Sequence, residues 1–493
     1  MEIPDFFWDQ KELLTYDYSI VEKYLDTDLD FSETIFNLSP YEDKKKLSTE
    51  YFKSIFLGYN HTYIMKLLEK HGYDSNICLP LVNKWNGDIR VDNLVIISHP
   101  EDAEKICKRH IKKAPIFKSL LNDSIISTTD NEDWKNQRGD MNMAFLPKLS
   151  LNEIFPISLK RSSKCSDLLK KMSNDFNDSI NMSEFFLNET QAQLQLAMFG
   201  FSENFEEKTN KKIRDVFSGI NTDYLKDFSK DALNETMKSE GPASKIFHES
   251  VKNNNLEKDI GNIILFAFAG HDTTGHTLTW LLYELCRNPK YKEKLIKEID
   301  DYWLKYDEPT YESFNELPYM TKCITETLRM WPALANGTYR ELERDEEING
   351  INDKDGKVLL KKGTYCQVIN WTRHRNPELW DNPDKFNPER EFQDSEIWDH
   401  KGFGSYNVQS ERFSPFTYGP RNCLGKNFAH MEMRLILLHL FRDHDFVLTS
   451  LQTKVSKDPN YMGINTFTMG PASIGEELIG MYVDVEKNRK SKI

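Results

Sequence analysis

The sequence predicts a mainly α-helical protein with a small β side domain. The strongest helical signal runs from Asp259 to Asn288, where Pro289 ends it. Segments with the composition of strands are few and short, and the clearest of them forms a hairpin pattern between Asn76 and Ser98. No linker rich in glycine, serine or proline and no internal repeat divides the 493 residues. One large domain is therefore expected over residues 1–493.

Charge and cysteine content exclude several classes of function. The formal net charge of −14 at pH 7 disfavours nucleic acid as a partner. The seven cysteines are scattered and form no C-x-x-C pair, which argues against a disulfide framework and a structural zinc site and predicts a reducing compartment. No basic segment followed by a long apolar run begins the chain, so we expect no membrane anchor and a location in the cytoplasm or on the cytoplasmic face of a membrane.

The N-terminal part of the chain is read in three pieces. Residues 1–72 are charged and aromatic, with helical pieces such as Thr62–His71, and we expect them to form an atypical N-terminal segment. Two strand-like runs follow, joined by a turn at Asn86-Gly87-Asp88. A helix is predicted to begin near Pro100, because proline is favoured in the first helical turn and acidic residues follow it.

Trp134 and Arg138 are the first candidate site residues. Their i, i+4 spacing places both side chains on one face of a helix that follows an irregular polar loop at 113–131. The same spacing is typical of an ordinary amphipathic helix. A functional role for the pair therefore depends on the other motifs in the chain.

The run from Asp259 to Asn288 is apolar around most of its circumference, which predicts a buried core helix of about 45 Å at 1.5 Å per residue. A membrane span is the competing interpretation, but a polar cluster from His271 to His276 interrupts the apolar run. Buried polar groups are costly unless they are paired, so such a cluster in mid-helix favours a functional role over a packing role.

The cluster belongs to the sequence Ala269-Gly270-His271-Asp272-Thr273-Thr274. Small Gly270 would leave room beside the helix for a diatomic ligand, and the Thr273 hydroxyl could donate a hydrogen bond to it. Asp272 could supply protons from the other side of the helix as a general acid. His271 and His276 are interpreted as structural histidines rather than metal ligands.

A second arrangement comes from Glu326-Thr-Leu-Arg329, in which an E-x-x-R spacing stacks a carboxylate and a guanidinium one helical turn apart. The pattern alone carries little information, because the chain repeats it at Glu284–Arg287 and Glu341–Arg344. What selects Glu326 and Arg329 is their place after Leu317-Pro318-Tyr319. A buried pair of this kind needs further hydrogen-bond partners.

The most specific motif is Phe416-Thr-Tyr-Gly-Pro-Arg-Asn-Cys-Leu-Gly425, directly before a helical run at 426–440. Gly419 permits a sharp turn, and Gly425 permits the backbone to lie against a flat ligand. Cys423 would face the N-terminus of the following helix, where the helix end and the backbone N–H groups favour a thiolate. A thiolate there is a candidate axial ligand for haem iron. A buried structural cysteine is the alternative.

These motifs, taken together, resemble the cytochromes P-450. The resemblance runs from about Ile89 to Thr449 and includes five motifs in the family's order. It implies the cytochrome P-450 fold, an α-helical prism around a buried haem b, with Cys423 as the axial iron ligand. Asp272 and Thr273 would be catalytic. The cofactor contacts that it implies are Trp134, Arg138, Ala269, Gly270, Arg340, Phe416, Arg421, Cys423 and Gly425.

Within this resemblance, Arg138, Arg340, Arg421 and Trp134 would hold the haem propionates, and Phe416 would shield the cysteine sulfur. A surface arginine is the alternative at Arg340. The family also adds a second arginine to the E-x-x-R pair, from a later P-E-R segment. Here that residue would be Arg390, which completes a structural group with Glu326 and Arg329, although Glu391 departs from the family's usual phenylalanine at its position.

The chain departs from the family most clearly at 202–258. Relatives place two substantial helices and a loop there as a lid over the substrate pocket, and this chain has little room for them, so a shortened lid is expected. The pocket would then be unusually open or closed by another segment or a partner. A turn near Met469-Gly470-Pro471 is expected to touch substrate.

The resemblance implies a monooxygenase that inserts one oxygen atom from O2 into a hydrophobic small molecule. We expect a monomer that draws electrons from a separate NAD(P)H-dependent reductase or ferredoxin, because the chain ends too soon after Cys423 to include a fused flavin reductase. Arg421, Lys426 and Arg434 are predicted to offer positive charge to that partner.

Two other functions are weighed against monooxygenation. A peroxide-using or rearranging haem-thiolate enzyme would need no reductase, but such enzymes tend to lose the acid–alcohol pair that Asp272 and Thr273 supply here. A non-catalytic haem protein for sensing or carriage would need Cys423 but gives no reason for Thr273.

Overall fold

The computed structural model describes residues 47, 50, 51, 54, 55, 58–73, 75–85, 88–115, 121, 123–174, 178–217, 224–252, 256–350, 356–398, 408–456, 461–465, 468–473 and 480–486. Within them the chain is mainly α-helical with a few small sheets, which confirms the predicted fold class. Most of the N-terminal segment predicted at 1–72 and residues 86–87 of the predicted turn lie outside the described residues.

The helices are named in chain order. They are α1 (Asn60–His71), α2 (Pro100–Arg109), α3 (Asn131–Asn142), α4 (Asn152–Ser163), α5 (Cys165–Met172), α6 (Met182–Gln193), α7 (Glu203–Phe217), α8 (Tyr224–Thr236), α9 (Pro242–Lys252), α10 (Leu256–Arg287), α11 (Pro289–Lys305), α12 (Pro318–Met330), α13 (Asn370–Arg375), α14 (Lys426–Asp443) and α15 (Ser450–Val455).

The strands are β1 (Ile77–Trp85), β2 (Asp88–Ile97), β3 (Ile180–Asn181), β4 (Thr338–Glu341), β5 (Glu346–Asn349), β6 (Lys357–Leu360), β7 (Tyr365–Val368), β8 (Asp445–Leu448), β9 (Tyr461–Asn465), β10 (Met469–Ser473) and β11 (Tyr482–Glu486). The largest sheet has the order β1-β2-β7-β4. The parallel pair β2–β7 joins the predicted hairpin β1–β2 to strands β4 and β7, which lie more than 200 residues later in the chain. The sheet β3-β11-β8 and the pairs β9–β10 and β5–β6 complete the β part.

The central helix α10 has 32 residues and coincides with the predicted run to within three residues at either end. Acidic Glu257 and Asp259 lie in its first turn, where they complement the positive end of the helix dipole. Its apolar side chains are buried in the main core, and α6 packs along it. As predicted, α10 is therefore a core helix.

None of the helices in the described chain combines the length and the apolar character needed to cross a membrane.

The region predicted as a shortened lid, 202–258, contains α7, α8 and α9, of which α7 and α8 have 15 and 13 residues. Phe217, the last residue of α7, packs its ring 5.2 Å from that of Phe268 and 5.6 Å from that of His271. Helix α7 thus reaches α10, and Phe217 forms part of a cavity wall. That the lid is shorter than in relatives stays a prediction.

The segment predicted as a turn near Met469-Gly470-Pro471 is instead strand β10, paired antiparallel with β9. Met469 is fully buried, and its amide N–H donates to the carbonyl of Ala333. None of the three residues is among the described residues that line the cavity, so the predicted contact with substrate is not seen. The reason is that β10 packs behind the cavity wall rather than on its surface.

Candidate active site

The Cys423 loop is folded by two of its own hydrogen bonds. The amide of Cys423 donates to the carbonyl of Phe416 over 2.9 Å, and the amide of Asn422 donates to the carbonyl of Gly419 over 3.1 Å. Gly419 has φ +64°, and a Cβ there would come within 3.1 Å of the carbonyl oxygen of Cys107. Glycine is required at this turn for both reasons.

The loop holds Cys423 at the wall of a cavity of about 310 Å³. Cys423 is exposed in the protein without haem, and it lines this cavity. Helix α10 also lines this cavity, through residues that include Ala269, Gly270 and Thr273. Most side chains that line the cavity are apolar, so its interior is suited to a flat hydrophobic group and a hydrophobic small molecule.

Burial raises the pKa of the Cys423 thiol above its usual value. The positive charge of Lys426, the backbone N–H groups of Gly425 and Lys426, and Arg138 act in the opposite direction. The predicted effect of the helix end is therefore present, although desolvation outweighs it in the protein alone. A cation coordinated by the sulfur would reverse the balance.

Four cationic side chains converge beside the cavity: Lys113, Arg138, Arg340 and Arg421. Burial lowers the pKa of each, and repulsion from Arg340 lowers the pKa of Lys113 and of Arg421 further. The pKa of Arg421 falls to about 9. Such a group of positive charges is unfavourable unless anions offset it.

The hydrogen bonds of these cations are only partly satisfied by the protein. Arg138 donates to the backbone carbonyl and the side-chain oxygen of Asn422, both over 2.5 Å. Arg421 donates to backbone carbonyls and lies 4.5 Å above the Trp134 ring. Arg340 is fully buried, and its Nε and Nη2 atoms have no hydrogen-bond partner among the described residues.

These observations test whether the site fits haem, and they agree with it. Two buried guanidinium nitrogens without partners, within a cationic group, match the carboxylates that a haem propionate pair would bring. The apolar cavity matches the porphyrin, and Cys423 lies at its wall.

The sequence did not predict Lys113 as a member of the cationic group. Its ammonium donates to Thr338 Oγ1 over 2.6 Å, and this contact joins residues that are more than 200 positions apart in the chain.

On α10 the structure separates the two predicted catalytic residues. Thr273 faces the cavity, and its hydroxyl donates to the carbonyl of Ala269 over 2.8 Å. Asp272 lies behind the cavity wall, where Oδ2 accepts a hydrogen bond from Thr468. The positions agree with an alcohol at the cavity and an acid on the other side of the helix.

Gly270 lines the cavity, but the steric reason for glycine is different from the one expected. A Cβ at Gly270 would lie 2.7 Å from a methyl carbon of Leu194, in the turn that follows α6. The close packing of α6 on α10 therefore requires glycine here. Gly425 shows no such restriction from protein atoms, since its nearest neighbour would be Phe145 at an ordinary 3.7 Å.

The structure brings Glu326, Arg329 and Arg390 together in a buried group. Arg329 donates to both carboxylate oxygens of Glu326, over 2.8 and 2.9 Å, and Arg390 donates to one of them over 3.0 Å. Arg329 also donates to the carbonyl of His374, which links α12 to α13. Glu391, at the position where the sequence departs from the family, does not prevent this arrangement.

Phe416, the first residue of the Cys423 motif, lies at the cavity wall, with its ring 5.4 Å from that of His430.

The prediction of a positive docking surface formed by Arg421, Lys426 and Arg434 is wrong, because all three residues are buried. Arg434 donates to Thr321 and stacks on Trp398, so its guanidinium makes contacts inside the protein rather than at the surface. Sequence reasoning assigned these cations to the surface because they are charged.

Comparison with known proteins gives a consistent picture. The model of the family described as Cytochrome P450 matches residues 203–473, more than half of the chain. Cytochrome P450 3A12 of Canis lupus familiaris is 28% identical over 372 residues, which are 66% of this chain and 70% of the dog protein.

Two further relatives match shorter segments. Cytochrome P450 3A19 of Capra hircus aegagrus is 32% identical over 188 residues, 38% of this chain and 78% of the goat sequence. Cytochrome P450 3A29 of Sus scrofa is 35% identical over 199 residues, 40% of this chain and 36% of the pig protein, so that match spans about a third of the relative's length.

Proposed function

The chain belongs to the cytochrome P450 family, a family of haem-thiolate monooxygenases, and on that premise we propose that it inserts one oxygen atom from O2 into a hydrophobic small molecule while the other leaves as water. The observation that carries the proposal is that one largely apolar cavity is lined by both Cys423 and Thr273. Asp272, the neighbour of Thr273 on α10, holds a carboxyl group that does not line this cavity and accepts a hydrogen bond from Thr468.

For the cofactor we propose haem b, with the Cys423 sulfur as axial iron ligand. Arg138, Arg340 and Arg421 would hold its propionates, with Trp134 against the Arg421 guanidinium. When bound, haem supplies the reductive activation of O2, which no side chain of the chain can supply.

The chain's own residues bind, orient and deliver protons. The apolar lining excludes water and retains the substrate. The Thr273 hydroxyl donates its hydrogen bond to the Ala269 carbonyl in this structure. Rotation of the side chain would direct the same proton into the cavity. Asp272 holds the carboxyl group that would restore that proton.

A reductase or ferredoxin would supply the electrons, since members of the family use redox partners. We expect it to dock without help from Arg421, Lys426 or Arg434, which are buried. A monomer in the cytoplasm, or on the cytoplasmic face of a membrane, remains our proposal for assembly and location.

The test is the absorbance spectrum of the dithionite-reduced protein under carbon monoxide. The parent should show the strongly red-shifted Soret band of thiolate-ligated haem, and Cys423→Ser should lose it. Cys286→Ser is the matched control, because Cys286 is partly exposed at the far end of α10 and donates to the Phe446 carbonyl. A band at the position typical of histidine ligation, in folded parent protein, would overturn the proposal.

A further inference from the structure

Two polar side chains behind the cavity wall have no part in the function proposed so far. They are His276 on α10 and Thr468 just before β10, and both lie beside Asp272. The Thr468 hydroxyl donates to Asp272 Oδ2, and His276 Nδ1 lies 2.8 Å from the same hydroxyl oxygen. The direct distance from His276 Nδ1 to Asp272 Oδ1 is 3.7 Å, so the threonine is the shorter route between the two.

The threonine has only one hydroxyl proton, and this fixes the direction of the chain. When Thr468 donates to an ionised Asp272, its oxygen can only accept from His276, so Nδ1 must carry a proton. When Asp272 is protonated, the carboxyl donates to Thr468 and Thr468 donates to an unprotonated Nδ1. The two arrangements differ by the transfer of one proton between imidazole and carboxyl.

The surroundings keep this geometry in place. Trp280 Nε1 donates to the Met469 carbonyl over 2.6 Å, and the Met469 amide donates to the carbonyl of Ala333, a residue of the cavity wall. Thr468 is thus tied both to α10 and to the wall. A Cβ on residue 470 would lie 3.1 Å from His276 Nε2, closer than an ordinary contact. Glycine at this position therefore avoids a steric clash with the imidazole.

Two members of this group of three side chains are partly exposed. The side chains of His276 and Asp272 are 13% and 14% exposed, whereas Thr468 is buried. Burial lowers the pKa of His276, and the charge of Asp272 acts against this. Of the described titratable groups, Asp272 and His271 are those that interact with the imidazole. Histidine has an ordinary pKa close to neutral pH, and burial moves the titration of His276 below that ordinary value.

We propose that His276 and Thr468 form a proton relay that resupplies Asp272 from the β10 side of α10. In one step, the Nδ1–H bond of the imidazolium breaks and Thr468 Oγ1 takes that proton. The hydroxyl releases its own proton to Asp272 Oδ2, leaving a neutral imidazole with its proton on Nε2. Solvent then returns a proton to His276. The inference rests on the proposed function and deepens it, with His276 and Thr468 as positioning and relay residues.

The first test does not depend on turnover. In ¹⁵N-histidine-labelled protein at pH values above the titration of His276, His276→Gln identifies its resonances. Thr468→Val should then change the Nδ1 and Nε2 shifts of His276, because the Nδ1–H tautomer loses its acceptor. Thr468→Ser should restore the parent shifts. Thr279→Val is the matched control, because Thr279 lies on α10 with its hydroxyl bonded to the Gly275 carbonyl. Unchanged His276 shifts in Thr468→Val would overturn the relay.

The second test measures how fast reduced, haem-loaded protein mixed with O2-saturated buffer returns to its oxidised spectrum, from pH 5 to 8, because the pKa of His276 is lowered from its ordinary value. In the parent the rate should fall as pH rises through the titration of His276. In His276→Gln and Thr468→Val we expect a flat profile and a rate lower by about 10-fold to 100-fold at pH 5, a loss typical of removing the hydrogen-bond partner that supports a functional group. Thr468→Ser and Thr279→Val should keep the parent profile.

Two outcomes separate the inference from the function on which it rests. His276→Gln should have no further effect in an Asp272→Asn background, because the relay acts only through Asp272. An additive effect there would overturn the relay. A parent protein with the red-shifted carbon monoxide band and a pH profile unchanged by Thr468→Val would refute the relay alone, whereas loss of that band in the parent would refute the proposed function first.

Discussion

Replacing Arg340 with methionine should have opposite consequences with and without haem. Arg340 is fully buried, and its Nη1 donates to Thr338 Oγ1 and to the carbonyl of Tyr339. Its Nε and Nη2 atoms have no protein partner among the described residues. In the haem-free protein the substitution removes two hydrogen bonds worth about 1 kcal/mol each, together with two unsatisfied buried donors that each cost about 1–3 kcal/mol. The free energy of unfolding should therefore change little or rise.

With haem bound, the same guanidinium should donate to a propionate. A hydrogen bond to a charged group contributes about 1.5–3 kcal/mol, so losing one should weaken haem binding roughly 10-fold to 150-fold. Urea unfolding of the haem-free protein measures the first quantity, and transfer of haem to an excess of an apo haem acceptor measures the second. Arg344→Met is the control, because Arg344 lies four residues away and is exposed.

The reasoning would be refuted by a variant that loses stability without haem and keeps its haem affinity. That result would show that the two nitrogens are satisfied within the fold and that Arg340 is a structural residue. Unchanged haem retention in Arg340→Met with unchanged stability would equally exclude Arg340 from the propionate site.

Three further predictions concern stability. Glu326→Ala should lower the free energy of unfolding by about 3–5 kcal/mol because it leaves buried guanidinium groups unpaired, whereas the exposed-pair control Glu389→Ala should cost under about 1 kcal/mol in the same urea titration. Gly337→Ala should prevent folding or sharply lower the thermal midpoint, because φ is +67° and the new Cβ would lie 1.8 Å from the Val368 carbonyl oxygen. Burial raises the pKa of Glu432 well above 4.5, so the folded state keeps a proton that the unfolded state releases. The free energy of unfolding should then fall as pH rises from about 4.5. In urea titrations at several pH values, Glu432→Gln should reduce that fall. An unchanged dependence of the unfolding free energy on pH would contradict the raised pKa of Glu432.

The elements and residue pairs predicted correctly depend on short spacings. The bounds of α10, the hairpin β1–β2 and the contact of Glu326 with Arg329 all follow from residues within a few turns of each other. Periodicity, turn residues and i, i+3 neighbours are local properties, and the core of a large domain reinforces them.

The features that the sequence did not predict have the opposite origin. The burial of Arg434 depends on Trp398 and Thr321, which the sequence does not place near it. The net pKa of Cys423 depends on desolvation by the whole cavity, whereas only the opposing effect of the helix end is visible in the motif. The steric need for glycine at Gly270 comes from Leu194 on another helix. Each outcome was decided by a contact between distant parts of the chain.

Asp272 combines a feature that the local sequence predicts with one that depends on a distant contact. Its motif indicates an acid beside an alcohol, but its proton supply depends on Thr468, 196 positions away. That threonine is followed by Met469, whose amide donates to the Ala333 carbonyl, so the start of β10 connects the cavity wall to the proposed proton supply. A substrate that displaces the wall at Ala333 would therefore also change the distance from Thr468 to Asp272. Substrates that fill the cavity differently should then differ in how tightly O2 consumption is coupled to product, and Thr468→Val should remove that difference.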